Sequence, residues 1–312
     1  MSEQPDNWER KTLEKLALAA LTEQRRARKW GIFFKIIGFV YLFLLLFLAM
    51  GLMNQNELSS VSAHTALVRL DGVIAPGNQA SAELVIDGLQ AAFKDKNTKG
   101  VILSINSPGG SPVQAGQIND EIKRLKAKYP KIPLYAVVED ICASGGYYVA
   151  VAADKIYVDK ASLVGSIGVL MDGFGFTGTM DKLGVERRLL TAGENKGFLD
   201  PFSPVDPKQK AYAQTMLEEI HQQFINTVKA GRGARLKETS DMFSGLIWTG
   251  TKSIELGLAD GLGSTEYVAR EVIKAKDIVD YTPHQSIADR FAKRFGAAAA
   301  QALTSSIGEH LR

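Results

Sequence analysis

DICASGGYYVAVAA, residues 140–153, decides how this chain is read. Upstream, Leu134 to Val138 is an extended apolar run, and downstream Tyr147 to Ala153 has helical composition. Ser144 therefore falls on a tight strand-to-helix junction. A hydroxyl at such a junction is held near a helix N-terminus, where unpaired backbone N–H groups and the helix dipole favour developing negative charge. Gly145 and Gly146 have no Cβ to keep a substrate away from the backbone. Ser144 is then either a nucleophile or simply the cap of the helix that follows.

The segments before the junction give its setting. Ala66 to Leu70 has strand composition and ends at Asp71-Gly72, and residues 81–94 place Leu84, Val85, Leu89 and Phe93 at helical spacing. GVILSIN, residues 100–106, is a second β-rich run. The turn SPGGS follows it, and then a helix with Ile118, Ile122 and Leu125 on one face. Strands alternating with helices predict an α/β fold of repeated βαβ units with a largely parallel sheet, whose function sits at the carboxyl ends of the strands. Two Gly-rich strand-to-helix turns then share one sheet edge.

Beyond residue 153, Lys155 to Val158 and Val164 to Leu170 are predicted as short β-runs. A glycine-rich piece over 172–178 leads to a short helix and to a predicted strand over Glu186 to Leu190. TAGENKGFLDPFSPVDP, residues 191–207, has the glycines and prolines of an irregular loop and carries Lys196. Asp206-Pro207 opens a helix expected to run to about Lys229, proline being tolerated in a first turn. Residues 248–263 predict a turn, one short helix and a glycine stop. Thr265 to Lys276 is predicted to be helical, and 284–312 forms an Ala-rich tail.

The chain has 312 residues, and its formal net charge of +3 is too small to argue for nucleic-acid binding. Its single cysteine, Cys142, excludes an intrachain disulfide and suits a small buried thiol. Residues 1–30 are polar and charged, and 31–53 contain an uninterrupted apolar stretch from Ile36 to Met53, long enough to span a bilayer as a helix. Arg10, Lys11, Lys15, Arg25, Arg26, Arg28, Lys29 and Lys35 precede it, and no Lys or Arg occurs between Met53 and Arg69. The positive-inside rule then puts the N-terminus in the cytoplasm and everything after Met53 outside. The charged leader is long for a cleaved signal, so an uncleaved transmembrane anchor is expected, with a linker over 54–64 and a folded domain over 65–283.

The chemistry is narrowed by what each motif lacks. SPGG at 107–110 has no Lys-Ser/Thr ending of a phosphate loop, which argues against nucleotide binding; an alternative anion for its N–H groups is the oxygen of a tetrahedral intermediate. If the two turns are neighbours, backbone N–H groups at Gly110 and Gly145 converge on that oxygen. None of the four histidines, His64, His221, His284 and His310, has a loop setting that faces Ser144, and no metal-binding pattern is present. Lysine can act as base when it is neutral. Lys196 stands out among the lysines because it lies in the Gly- and Pro-bearing loop with small and apolar neighbours.

SPGG at 107–110, ASGGYY at 143–148, GSIGV at 165–169 and NKGFLDPF at 195–202 together resemble the signal peptide peptidase A (protease IV) family of bacterial membrane serine peptidases. The resemblance runs from about residue 65 to 275. It implies a Clp protease/crotonase-like fold and a Ser-Lys dyad of Ser144 and Lys196, 52 positions apart. It further implies Ser166 as the residue that orients the lysine, and Gly110 and Gly145 as the oxyanion donors. No cofactor or metal is implied. The short single-domain form implies a homo-oligomeric ring in which the lysine reaches the serine of a neighbouring subunit. The implied place is the bacterial cytoplasmic (inner) membrane, single-pass, with the catalytic domain on the periplasmic or extracellular side. The implied substrates are cleaved signal peptides and other membrane or exported polypeptides. Two other functions fit parts of the pattern: a crotonase-like enzyme acting on a coenzyme A thioester, which would have no use for Lys196, and a non-catalytic membrane scaffold. Glu139, Asp140 and Cys142 are a departure, being more polar than the family pattern before the serine.

Overall fold

The computed structural model describes residues 8–54 and 62–283. The chain divides into two compact units, Met1–Ser59 and Ser60–Arg312. In the first, Trp8–Asn54 forms one continuous helix, α1, of 47 residues. No proline interrupts the stretch, and the single glycines at 31, 38 and 51 each cost only about 1 kcal/mol in a helix. Among the described residues this is the one helix long and apolar enough to cross a membrane. The tail over 284–312 and most of the expected linker lie outside the described residues.

The second unit begins with β1 (His64–Asp71), α2 (Ala82–Lys94), β2 (Thr98–Ser107), α3 (Pro112–Lys128), β3 (Leu134–Ala143) and α4 (Gly145–Ala150). It continues through β4 (Lys155–Val158), β5 (Leu163–Gly165), α5 (Thr177–Leu183), α6 (Pro207–Arg232), β6 (Ile247–Thr249) and α7 (Gly250–Glu255). β7 (Gly261–Leu262), α8 (Thr265–Tyr267), a π-helical turn over Val268–Ile273 and β8 (Ile278–Asp280) complete it. The sheet has the order β6-β5-β3-β2-β1-β8, with β4 on β3 and β7 on β4. All pairs are parallel except β5 with β6. The mixed α/β architecture read from the alternating segments is the one observed.

Both faces of the central strands are covered, which is why they read as unbroken apolar runs. Val101, Leu103 and Ile105 pack on one side with the buried faces of α2, α3 and α4. Ile102 points the other way, into a cluster with Leu67, Val137, Tyr157, Val268 and Ala269. β3 is longer than predicted because it serves two neighbours: Tyr135–Val137 pair with β4, and Ile141–Ala143 pair with β5. Between these halves the register against β2 jumps from Ile105–Val138 to Ser107–Cys142. The extra residues form a bulge, and Glu139 and Asp140 sit on it with exposed side chains. Ser104 Oγ donates to Glu139 Oε1 at 3.0 Å and Asn106 Nδ2 to Asp140 Oδ2 at 3.2 Å. The polar residues before Ser144 thus belong to the sheet rim. Cys142 is fully buried.

Three other expectations are corrected. Residues 186–190 form no strand: they find no pairing partner, and Leu190 is 97% exposed. The β-run expected to reach Leu170 stops at Gly165, because Ser166 takes a positive φ of 51°. The helix expected over 265–276 is one α-turn that relaxes into the π-turn and ends at Lys274, whose φ is 65°. α6 starts at the predicted Pro207, capped by Asp206 Oδ1 accepting from Lys208 N at 2.7 Å.

The two ends of the domain are tied together. Tyr281 Oη donates to Asp95 Oδ2 at 2.6 Å and lies 3.0 Å from His64 Nε2. The Tyr281 hydroxyl, and then the Asn97 N–H, hold the Asp95 carboxyl below its ordinary range. A lowered carboxyl pKa adds stability above the unfolded value near 4, and that stability is lost as pH falls through the folded value. Tyr281→Phe is expected to cost about 1 kcal/mol at pH 7, with the gap to the native protein narrowing below about pH 4. Thermal melts at a series of pH values check this.

Candidate active site

Ser144 ends β3 and caps α4 with φ 50° and ψ −122°. For a residue with a side chain this is a strained conformation, and such strain collects at functional sites. It is held from both sides: Ser144 N donates to Gly165 O at 2.9 Å, and Tyr148 N donates to Ser144 O at 2.9 Å. The Ser144 side chain makes no capping hydrogen bond. The simple helix-cap reading of this serine is therefore not the arrangement observed.

The two glycine turns meet backbone to backbone. Gly109 has φ +100°, and a Cβ built on it would lie 2.6 Å from Gly145 N and 2.8 Å from Ala143 O, so no side chain fits there. Gly110 is bridged to Ile74. Within that bridge Ile74 N donates to Gly109 O at 2.8 Å and Ser111 N donates to Ile74 O at 2.8 Å, leaving the Gly110 N–H outside it. A Cβ on Gly145 would sit 3.2 Å from Gly110 N. The two turns thus pack backbone against backbone beside Ser144. On the expectation that these turns form an oxyanion hole, Gly145→Ala, whose Cβ would crowd Gly110 N, should lower kcat by about 10²-fold, the scale on which displacing one oxyanion donor acts, with little change in melting temperature. Steady-state kinetics alongside a thermal melt checks it.

Ser144, Gly110, Gly145 and Ser166 line one cavity of about 580 Å³, together with Pro112, Tyr148, Val169, Leu170, Ile220 and Phe224. The walls combine apolar side chains with a few polar groups, the usual build of a substrate site. Ser166 N donates to Leu246 O at 2.7 Å, fixing the strap that carries the second serine. His221, one of the four histidines without a loop setting, donates from Nε2 to Ile167 O at 3.1 Å and holds the same strap from α6. Tyr148 and Phe224 form a wall with ring centroids 5.2 Å apart. Neither His221 nor Phe224 carries a local signal, because both act from a helix some 77–80 residues after Ser144.

Lys196 is not brought to this cavity within the chain. It is exposed, in a run of turns where its N–H donates to Gly193 O at 3.1 Å. The segment around it is nevertheless built: Phe176 stacks on Phe202 at 5.3 Å, Phe176 N donates to Pro201 O at 2.8 Å, and Arg187 pairs with Asp200 at 3.2 Å. Leu199 N donates to Gln209 Oε1 at 3.0 Å, tying the turns to α6. Around them Leu170, Phe174, Leu183 and Leu190 are each more than 70% exposed. Among the described residues no group of His, Cys, Asp and Glu could hold a metal ion.

The sequence pattern of Peptidase family S49 matches residues 126–279, which include Ser144, Ser166 and Lys196. A Methanocaldococcus jannaschii protein provisionally named as a protease is 33% identical over 216 residues, covering 68% of each chain. An Enterococcus faecium protein provisionally named as signal peptide peptidase SppA is 28% identical over 239 residues, 73% of this chain and 69% of that one. The Na(+)/H(+) antiporter NhaA of Brucella melitensis is 44% identical over 209 residues, 65% of this chain and 28% of that protein. The chain thus spans less than a third of that antiporter's length. With the motif order, the α/β fold and these similarities in agreement, the chain belongs to peptidase family S49.

Proposed function

We propose that this chain is a membrane-anchored serine endopeptidase that uses Ser144 as nucleophile and Lys196, from a second copy of the chain, as base. The observation that carries this reading is the strained Ser144, lining an apolar cavity beside the Gly110 and Gly145 turns. Ser144 Oγ attacks the scissile carbonyl carbon while its proton passes to Lys196 Nζ. The carbonyl oxygen becomes an oxyanion held by the Gly110 and Gly145 N–H groups, which need no reorganisation to receive it. The intermediate collapses to an acyl ester on Ser144, and the leaving amine takes the proton from Lys196. Water then attacks the ester, giving a proton to Lys196, and Ser144 regains its own. Ser166 orients the amine by accepting a hydrogen bond from Nζ.

The trans arrangement is supported by the exposure of Lys196 on an arm whose apolar side chains lack cover. Docking of that arm on a second copy would remove water from the amine, favouring the neutral form a base needs. Helix α1 would keep the domain within reach of membrane-derived peptides, with the N-terminus cytoplasmic. Substrates of this kind, cleaved signal peptides above all, are suggested by the name of the Enterococcus faecium relative. A fluorophosphonate probe applied to detergent-solubilised protein tests the nucleophile. The expected result is one label per chain, mapped to Ser144 and absent in Ser144→Ala. Labelling that persists in Ser144→Ala would refute the assignment.

A further inference from the structure

Beside the cavity at Ser144 lies a shallow, open surface depression of about 570 Å³, lined by Lys123, Glu219, Gln222, Gln223, Asn226, Thr227 and Ala230. The two run along α6 and share Gln223. Tyr148 stands between them: its ring lines the inner cavity, and its hydroxyl is 3.0 Å from Oγ1 of Thr227, which lines the outer one. Thr227 Oγ1 also lies 3.0 Å from Gln223 O. Since a carbonyl can only accept, the threonine proton goes to Gln223 O and the Tyr148 hydroxyl donates to Thr227 Oγ1. The tyrosine is fastened at its other end too, where Asn119 Nδ2 donates to Tyr148 O at 2.7 Å. Its ring is braced by Phe224.

We infer that Tyr148, latched to Thr227, is a specificity-determining partition: it limits how long a substrate side chain the cavity at Ser144 accepts. This rests on the peptidase reading of that cavity. The inner wall of Tyr148, Ile220, Phe224 and Ala115 suits a short aliphatic side chain. Removal of the ring would open the cavity towards the neighbouring depression, whose lining carries Lys123, Glu219 and three amides. A longer side chain with a polar tip then finds both room and partners.

The test measures binding, so that it does not depend on turnover. Full-length protein in detergent, in a Ser144→Ala background, is titrated with fluorescent peptides of one sequence ending in Ala, Leu, Phe or Lys. The terminal carboxylate takes the place of the cleaved carbonyl, so the last side chain enters the cavity. The expected order without further change favours Leu. Tyr148→Ala should improve Phe and Lys relative to Leu by at least about 10-fold, the scale on which apolar pockets respond to one methylene. Tyr148→Phe, which keeps the ring, should stay within about 3-fold of the parent and shows that the protein tolerates change at this position. Should Tyr148→Ala not fold, Tyr148→Val serves as the shortened variant, with the same shift expected. Ratios unchanged in a folded shortened variant would overturn the partition. Hydrolysis by Ser144→Ala would instead refute the nucleophile assignment, and the binding ratios would still decide the partition.

Discussion

Ser144→Ala is expected to lower peptide hydrolysis by about 10⁴-fold or more while leaving the melting temperature within a few degrees of the native protein. The size follows from the non-additive collapse seen when a serine nucleophile is removed: without Oγ, the base has no proton to take and only the oxyanion donors remain. The structural cost is small because the Ser144 side chain makes no capping bond, and its backbone bonds to Gly165 and Tyr148 do not involve Oγ. Alanine must still adopt φ 50°, which is the one source of destabilisation expected. Hydrolysis of a fluorogenic peptide together with a thermal melt separates the two effects.

Asp260→Ala is expected to destabilise the domain by about 3–5 kcal/mol, the cost of leaving a buried charge without its partner. Arg232 is 1% exposed, and its guanidinium grips Asp260 through Nη1 to Oδ2 at 2.8 Å and Nη2 to Oδ1 at 3.0 Å. Asp260 Oδ2 also accepts from Ile156 N at 2.7 Å, and Arg235 Nη1 donates to Oδ1 at 3.2 Å. Burial alone would raise the Asp260 carboxyl, but the Arg232 and Ile156 hydrogen bonds outweigh it and hold the group below its usual range. Its stabilising effect is therefore present above the unfolded pKa and fades as pH falls through the folded one. Arg232 Nε also donates to Gly257 O at 2.8 Å, next to Leu258 O, which accepts from the Tyr147 hydroxyl at 2.8 Å. Loss of Asp260 should thus loosen the helix that starts at Ser144. Denaturant unfolding of Asp260→Ala checks this, and a loss below about 1 kcal/mol would contradict it.

What could be read from the sequence was whatever local chemistry dictates. The Ser144 junction, the SPGG turn and the Asp206-Pro207 helix start each depend on residues that are neighbours in the chain, and each was found where expected. The β3 bulge at Glu139 and Asp140 could not be read, because it exists to let one strand serve both β4 and β5. The pattern over 186–190 misled for a related reason. Its apolar residues suit a strand, yet no other strand lies beside them and they stay on the surface. The Tyr148–Thr227 latch joins residues 79 positions apart and leaves no trace in either local stretch.

In the proposed mechanism each active site combines Ser144 of one copy with Lys196 of another. The most direct measurement mixes Ser144→Ala and Lys196→Ala proteins, each inactive alone, under detergent conditions that permit subunits to exchange. Activity is expected to return on mixing, since a mixed assembly contains sites with an intact serine from one variant and an intact lysine from the other. It should follow the product of the two fractions and peak near equal amounts. If exchange is verified by differently labelled subunits and activity stays at the level of the single variants, the shared site is contradicted. If Lys196→Ala alone retains near-native activity, the lysine is not the base.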